Sequence, residues 1–394
     1  MTAHRVRVVG SLGTAQTLAW ASTYYLPAML ARPMAAELGV SEPTVFAAFS
    51  AALVVSAIVG PHSGRRIDHW GGRPVLMATS LLFALGLALL ALAGGPAGLF
   101  VAWLVLGLAM GSGLYEAAFA SLVRLYGHDA RGAITGITLI AGFASTVGWP
   151  LTAALEHNFG WRGACWAWAG LHLLVGLPLN AWLPKATAPA APTQAPAAAN
   201  GEAPPMRTAA LLAWVFAVTW FISTAMAAHL PRLLDAAGAA PAAVILVSAL
   251  VGPAQVAGRL LEFGFLRRLH PLQSARAAAL MHPLGAALLA VIGAPAAIAF
   301  ALLHGAGNGV LTIAKGTLPL ALFGPLGYGQ RQGLLVLPAR LAQALAPWLF
   351  GLLLADFGTG VLWLSSGLGL SALAALLFIR VPSRTTQPSM EDPS

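Results

Sequence analysis

Four charged residues lie inside long apolar segments of the sequence, where a charge is costly and therefore marks a candidate functional site. They are Glu116, Arg259, Lys315 and Arg340. The three cations all lie in the second half of the chain, so together they could attract an anion. The planar guanidinium of Arg340 could bind a carboxylate with two hydrogen bonds. We expect Arg340 to contact substrate, and Glu116, Lys315 and Arg259 to act in coupling or gating.

Each of these residues also has a structural interpretation. Lys315 and Arg340 lie only about six residues, or about 9 Å, inside their segments, so they could extend to the membrane surface. Arg259 could pair with Glu262, which follows three residues later on the same helix face. Glu116 could take up and release a proton, or it could form a permanent ion pair with a base of the other half.

Aromatic residues concentrate at the middle of the first and seventh apolar segments. Aromatic rings with a few polar groups are typical of small-molecule sites, although ordinary helix packing is the alternative. Thr312 and Gln343 lie at similar depth. The predicted substrate site consists of Trp20, Tyr24, Tyr25, Tyr115, Trp220, Asn308 and Arg340.

Several other chemistries find no support in the sequence. It has no Gly-x-x-x-x-Gly-Lys-Ser/Thr phosphate-binding loop, no metal-binding cluster and no nucleophile triad of convincing spacing. We therefore expect neither an ATP-driven pump nor an enzyme, and no metal or cofactor. The histidines inside apolar segments, His172, His282 and His304, are expected to be packed and hydrogen-bonded.

Composition points to the lipid bilayer. The chain has 394 residues, of which 58% are hydrophobic and 8% are charged, whereas a soluble protein carries about 25% charged residues. The net charge of +9 does not indicate nucleic acid, because the basic residues lie in short loops between apolar segments. The single cysteine, Cys165, cannot form an intramolecular disulfide. We predict an all-α polytopic membrane protein.

Twelve apolar segments are long enough to cross a hydrocarbon core of about 30 Å as helices. We predict an N-terminal six-helix bundle over 1–184, a cytoplasmic Ala/Pro-rich linker over 185–207, a C-terminal six-helix bundle over 208–382, and a disordered cytoplasmic tail over 383–394. The predicted spans are 8–31, 44–63, 74–94, 97–123, 133–155, 163–184, 208–231, 241–265, 275–293, 296–322, 333–355 and 360–380.

Basic residues indicate the orientation. If both termini are cytoplasmic, most arginines and lysines between spans fall on that side, and only Arg32, Arg162 and Arg232 fall outside. The two halves are also similar in sequence, since 56–61 (Ser-Ala-Ile-Val-Gly-Pro) matches 248–253 (Ser-Ala-Leu-Val-Gly-Pro). A duplicated unit of this kind places the substrate site near the bilayer midplane, between the halves.

A charged motif, Gly64-x-x-x-Asp68-x-x-Gly71-x-Arg73, lies between the second and third spans. Gly64 permits close helix packing, and Gly71 permits a tight reversal. Asp68 could cap a helix N-terminus or pair with an arginine. The motif resembles the signature loop of the major facilitator superfamily, and the count of twelve spans, the central linker and the repeat extend this resemblance over nearly the whole chain.

The resemblance implies secondary active transport by rocking of two bundles in the cytoplasmic membrane. With the cationic second half, it favours a proton-linked carrier of a small organic anion, and the Gly258-Arg259 pair is similar to the monocarboxylate-porter group. An efflux pump for hydrophobic or cationic compounds is the alternative, although Gly107 stands where drug antiporters often carry an arginine. A transporter-like sensor is a third hypothesis. We expect a monomer.

The resemblance also implies that spans four, five, ten and eleven meet on the cytoplasmic side when the carrier faces outward. We therefore predict a gate in which Glu116 of span four pairs with Lys315 of span ten or with Arg340 of span eleven. Because one partner belongs to each half, the pair would have to break before the carrier opens inward.

Overall fold

The computed structural model describes residues 3–185 and 206–380, and every element in these ranges is helical. The first half contains α1 Ala3–Ala21, α2 Leu26–Leu38, α3 Glu42–Trp70, α4 Gly72–Ala91, α5 Pro96–Gly113, α6 Tyr115–Tyr126, α7 Arg131–Ile140, α8 Ala144–Leu171 and α9 Leu177–Ala181. The second half contains α10 Met206–Ala236, α11 Pro241–Gly264, α12 Pro271–Ile292, α13 Ala297–Phe323, α14 Tyr328–Phe357 and α15 Val361–Phe378. The predicted linker and tail lie almost entirely outside the described residues.

Two of the predicted spans are interrupted near their middle. The predicted span 8–31 is broken between α1 and α2, because Pro27 has no backbone N–H to continue the helix. The predicted span 97–123 is broken at Leu114, whose backbone is extended (φ −82°, ψ −167°), directly after Gly111-Ser112-Gly113. Glycines weaken a helix, and the break places Glu116 in the first turn of α6, where a carboxylate is favourable.

The two parts of α8 are separated at Gly160, which lies between the predicted spans 133–155 and 163–184. Gly160 has φ 67° and ψ 172°, a left-handed backbone region that favours glycine, so the chain changes direction there. After α8 the helix widens into one π turn, His172–Gly176, before α9 begins.

Hydropathy marks eight helical stretches of the described residues as long and apolar enough to cross a membrane. Two of them, Pro96–Ala181 with 86 residues and Tyr328–Phe378 with 51 residues, are longer than the roughly 20 residues that one crossing takes. The prediction of an all-helical membrane protein is confirmed, and the number of crossings stays a prediction.

Buried apolar side chains form two separate clusters. One extends from Val8 to Leu183 in the first half and includes Leu320 and Tyr328 from the second half. The other extends from Leu212 to Ile379 and lies entirely within the second half. Each half therefore has its own hydrophobic core.

Candidate functional site

The break between α1 and α2 positions a group of aromatic rings. The ring of Trp20 lies 5.2 Å from Tyr24, 6.3 Å from Tyr25 and 4.9 Å from Tyr115, measured between centroids. Tyr24 and Tyr25 meet edge to face at 5.5 Å. Since Tyr115 belongs to α6, directly after the second helix break, the two interruptions of the first half meet at this aromatic group.

Trp220 of α10, in the second half, lies beneath two cations. The Nζ atom of Lys315 lies 3.8 Å from the centroid of the Trp220 ring, and the Cζ atom of Arg340 lies 4.3 Å from it. Both side chains are buried, at 6% and 2% exposure. Because cation–π contacts compensate only part of the cost of burying a charge, this arrangement favours a negative partner.

Glu116 supplies one such negative charge. Its Oε2 accepts a hydrogen bond of 2.9 Å from Nη2 of Arg340, which links α6 of the first half to α14 of the second. Of the two bases expected to face Glu116, it is therefore Arg340 that makes the ion pair, while Lys315 contacts Trp220. Whether the pair works as a gate stays a prediction.

A chain of hydrogen bonds continues from Arg340 to the aromatic group. Nη1 of Arg340 donates to Oε1 of Gln343 at 3.2 Å, and Nε2 of Gln343 donates to the hydroxyl of Tyr24 at 2.8 Å. That hydroxyl lies 3.4 Å from Oγ1 of Thr224. Gln343 and Thr224 were not among the predicted site residues, yet they follow Arg340 and Trp220 by three and four residues, which places each pair on one helix face.

Arg259 of α11 is a third buried cation, at 6% exposure. Its Nε and Nη1 atoms make no hydrogen bond within the described residues. A Cβ atom at Gly142 would lie 2.0 Å from Nη1, so the guanidinium occupies space that only a glycine leaves open. The charge lies within electrostatic range of the hydroxyls of Tyr25 and Tyr115.

Glu262 forms no ion pair with Arg259 within the described residues, although this pair was the alternative interpretation of Arg259. Oε1 of Glu262 accepts instead from Nη2 of Arg131 at 2.9 Å, across the boundary between the halves. Arg131 also donates to the backbone carbonyls of Leu266 and Leu269, in the turn that follows α11. Spacing along α11 allowed the pair with Arg259, but the packing of α7 against α11 decides where the carboxylate points.

Asn308 lines a cavity of about 20 Å³ between α10, α12, α13 and α15, together with His282 and His304. Its predicted role in substrate binding stays a prediction. The central cluster is accordingly defined here by Trp20, Tyr24, Tyr25, Tyr115, Glu116, Trp220, Thr224, Arg259, Lys315, Arg340 and Gln343.

The charged motif after the second predicted span joins the two halves. Oδ1 of Asp68 accepts from the backbone N–H of Gly329 at 2.8 Å, and Oδ2 accepts from that of Gln330 at 2.9 Å, at the start of α14. Of the two roles considered for Asp68, helix capping is the observed one. A Cβ atom at Gly64 would lie 1.9 Å from the carbonyl oxygen of Gly329, so the two helices touch there through their backbones.

The rest of the motif turns the chain. Gly71 ends α3 with φ 81°, a conformation that other residues rarely adopt. Arg73 lies half buried in the first turn of α4 and forms no ion pair with a carboxylate of the described residues. We call the end of the molecule that carries Asp68, Arg131 and Glu262 the Asp68 face.

The opposite end carries an ion pair within the first half. Oε1 of Glu37 accepts from Nε of Arg162 at 2.8 Å, and Oε2 accepts from the indole N–H of Trp161 at 2.5 Å. The hydrogen bonds from Arg162 first and Trp161 second lower the pKa of this exposed carboxyl below its ordinary value.

Among residues 3–185 and 206–380, no group of three or more His, Cys, Asp or Glu side chains could hold a metal ion. The groups of the central cluster can bind a ligand by charge, hydrogen bond and aromatic contact.

Comparison with protein families gives a match over most of the chain. The model described as Major Facilitator Superfamily matches residues 12–302. Among curated proteins, an uncharacterised 38 kDa protein in the 23S RNA operon of Thermoproteus tenax is 36% identical over 156 residues, 39% of each chain. Multidrug resistance protein MdtH of Proteus mirabilis (strain HI4320) is 32% identical over 127 residues, 32% of this chain and 31% of that protein. The matched region is thus less than half of either relative.

Solved structures extend the likeness to the whole fold. The human organic anion transporter MFSD10 (TETRAN) superposes with a TM-score of 0.68 at 18% identity, covering 94% of this chain and 99% of that one. The proton:xylose symporter XylE superposes with a TM-score of 0.74 at 14% identity, covering 95% of each chain. Likeness at such low identity concerns the fold and not the substrate.

Proposed function

Because the chain belongs to the Major Facilitator Superfamily, it is a multi-pass secondary transporter and not an enzyme, and we propose that its substrate is a small organic anion, a carboxylate. The observation that carries this proposal is the charge of the central cluster. Three buried cations, Arg259, Lys315 and Arg340, stand there against one carboxylate, Glu116.

An uncompensated cation inside a membrane protein is costly, and a bound anion lowers that cost. Arg340 already forms an ion pair with Glu116. Nζ of Lys315 lies over the ring of Trp220, and the Nε and Nη1 atoms of Arg259 have no hydrogen-bond partner among the described residues. A carboxylate entering the cluster would gain charge-assisted hydrogen bonds from these groups. The rings of Trp20, Tyr24, Tyr25 and Trp220 would contact its apolar part.

We further propose that transport is coupled to protons through Glu116. A proton on this carboxyl group would remove the charge that holds Arg340, and would leave the guanidinium to a substrate anion. The bound anion would then replace Glu116 as the partner of Arg340. In this scheme the ion pair is the predicted gate, because it links α6 to α14 across the two halves.

The proposed topology has twelve crossings in two six-helix bundles, over 1–184 and 208–382. Both termini and the linker over 185–207 would be cytoplasmic, and the protein would lie in the cytoplasmic membrane as a monomer. The two separate hydrophobic cores support this division. The distribution of basic residues favours the Asp68 face as the cytoplasmic one.

Uptake into proteoliposomes tests the function. The purified full chain would be reconstituted, and a panel of labelled mono- and dicarboxylates would be offered with and without an imposed pH gradient. We expect gradient-dependent uptake of at least one acid. The variant Arg340→Gln should abolish it. The matched control Arg276→Gln should not, because the Arg276 guanidinium binds the backbone carbonyls of Leu376 and Ile379. Absence of gradient-dependent flux for every acid would contradict the proposal.

Export of hydrophobic or cationic compounds is a second candidate function. The aromatic rings of the central cluster and the partial similarity to a protein named for multidrug resistance favour it. Drug-susceptibility profiling of a deletion strain separates the two functions. A carboxylate carrier predicts unchanged susceptibility, whereas an exporter predicts increased susceptibility to lipophilic cations.

A further inference from the structure

Two histidines form a buried pair outside the central cluster. Nδ1 of His282 on α12 lies 2.9 Å from Nδ1 of His304 on α13. His304 stacks on Phe300 with ring centroids 5.7 Å apart, and His282 meets the same ring at 65°. Both side chains are more than nine-tenths buried, at 7% and 4% exposure.

The short contact between the two Nδ1 atoms fixes how protons are distributed. One ring must donate its N–H and the other must accept with a lone pair. The neutral pair therefore keeps one further ring nitrogen with a free lone pair, which can take an additional proton. The resulting imidazolium would remain hydrogen-bonded to its neutral neighbour, and a charge-assisted hydrogen bond of this kind is stronger than a neutral one.

The pair also lacks a partner on its open side. Nε2 of His282 is buried and makes no hydrogen bond within the described residues. The adjoining cavity of about 20 Å³ is lined by Thr219 and Asn308 as well as by the histidines. A cavity needs about 10–15 Å³ to hold a water molecule. A water here would give Nε2 a partner and would provide a route for a proton.

The charged groups on the surrounding helices leave the pair without a neighbouring carboxylate. On α12, Arg276 lies six residues, or about 9 Å, from His282 and binds carbonyls at the end of α15. The described helix α15 carries no charged residue or histidine. The other titratable groups lie farther along the neighbouring helices, and they are Arg207, His229, Arg232 and Asp235 on α10, Lys315 on α13, and Arg259 and Glu262 on α11.

One face of α13 connects the pair to the central cluster. His304, Asn308, Thr312 and Lys315 follow one another at intervals of four, four and three residues, which places them along one side of the helix. His304 and Lys315 are then about 16 Å apart along the axis. A positive charge at the pair adds to the cations of the same half and so favours an anion between the halves.

We propose that His282 and His304 together bind one proton, and that this pair is a second proton site of the carrier, in the C-terminal half. The binding of the proton is independent of any substrate. Its use in coupling rests on the proposed function, because only an anionic substrate would be favoured by the added positive charge.

Proton uptake by the full chain in lipid nanodiscs tests the pair without a substrate. The pH of a weakly buffered sample would be lowered from about 8 to about 4, because burial disfavours the charged form of a histidine and moves proton uptake below the range of an exposed one. The double variant His282→Gln/His304→Gln should take up about one proton per chain less than the wild type, since the pair holds a single extra proton. Each single variant should take up its proton at a lower pH than the wild type, because the remaining imidazolium has lost its neutral imidazole neighbour.

Other outcomes overturn the proposal. Unchanged uptake in the double variant would show that the pair does not titrate, and a loss of two protons in it would show two independent sites. The control His172→Gln alters a buried histidine that binds Ser22 and stacks on Phe83, and it should behave as the wild type. If a variant fails to fold, wild-type chain labelled with nitrogen-15 histidine decides. As the pH falls, the ring nitrogens of one histidine of the pair should shift from neutral to imidazolium values, and nitrogen signals that stay neutral contradict the proposal.

Discussion

Two of the seams along which the halves meet are built in opposite ways. In the first seam, α3 lies against α14 from Ser50, whose hydroxyl donates to the carbonyl of Ala344 at 3.4 Å, to the backbone contact of Gly64 with Gly329. In the second seam, side chains bridge α7 and α11, and Arg131 binds Glu262 and two carbonyls in the turn that follows α11.

The first seam is a steric contact, and we call it the glycine seam. The second seam is an electrostatic contact, and we call it the Arg131–Glu262 seam. The glycine seam depends on the absence of side chains, so its strength changes little with protonation or salt. The Arg131–Glu262 seam depends on charge, so a single neutralising substitution should weaken it. Asp68 combines both types, because its charge binds backbone N–H groups at the very end of the glycine seam.

The largest effect is expected for Gly64→Ala. The added methyl group would meet backbone atoms of Gly329 that cannot move aside, so α3 and α14 would have to separate. We expect the free energy of unfolding to fall by about 2–4 kcal/mol, in the range of overpacked or strained core sites. The matched control is Gly60→Ala on the same helix, where the nearest atom would be 3.8 Å away. Equal melting temperatures of the two variants would argue against the glycine seam.

A smaller effect is expected for Glu262→Gln. It leaves Arg131 with only its carbonyl partners and one neutral acceptor, at a cost of about 1–3 kcal/mol. The Asp68 face should open more often, which would raise the labelling rate of a cysteine introduced at Leu266 in a Cys165→Ala background. Glu42→Gln, an exposed carboxylate at the opposite end of α3, is the control. Labelling unchanged from the parent would show that the ion pair does not hold this seam.

Asp68→Asn should have a still smaller effect on stability. The amide oxygen can keep one of the two backbone N–H bonds, so the loss should be about 1 kcal/mol, as for a helix cap. The variant should be folded and inserted, but its transport should be impaired because the capped end of α14 is held less firmly. Transport and labelling at the Asp68 face that both match the wild type would rule out this role.

The smallest effect is expected at Glu37, whose partners lie in its own half. The pKa of this carboxyl is lowered in the folded protein, so its contribution is present above the ordinary pKa and is lost as the pH falls through the lowered value. Because the pair is exposed, Glu37→Gln should scarcely change the melting temperature at neutral pH. A melting temperature that drops as far as in Glu262→Gln would mean that contacts within a half matter as much as those across the seams.

Much of the fold could be predicted from sequence, because the lengths of the apolar segments and the similarity of the two halves can be read directly from it. The ends of α11 and α13 agree with the predicted spans within about two residues. The helix break before Pro27 could also have been predicted, since proline removes a helical hydrogen bond. Thr224 and Gln343 could have been found from helical spacing to Trp220 and Arg340.

The partners across the halves could not be predicted in the same way. Glu262 had a plausible neighbour on its own helix, and only the position of α7 assigns it to Arg131. The choice of Gly329 and Gln330 as the partners of Asp68 depends on the same three-dimensional packing. Asn308 is a polar residue in an apolar segment, as a site residue would be, and it lines the cavity beside His282 and His304. Which residue of the other half a side chain binds depends on how the helices pack, and local sequence patterns do not determine this packing.

The exchange of partners at Arg340 is the centre of the proposed mechanism, and anion affinity tests it most directly. The carboxylate that the uptake panel identifies would be titrated against purified wild type, Glu116→Gln and Arg340→Gln, with the melting temperature as the readout. Since Glu116 competes with the anion for Arg340, Glu116→Gln should bind it about tenfold more tightly than the wild type, and Arg340→Gln should not bind it. Equal affinity in all three proteins would contradict the account.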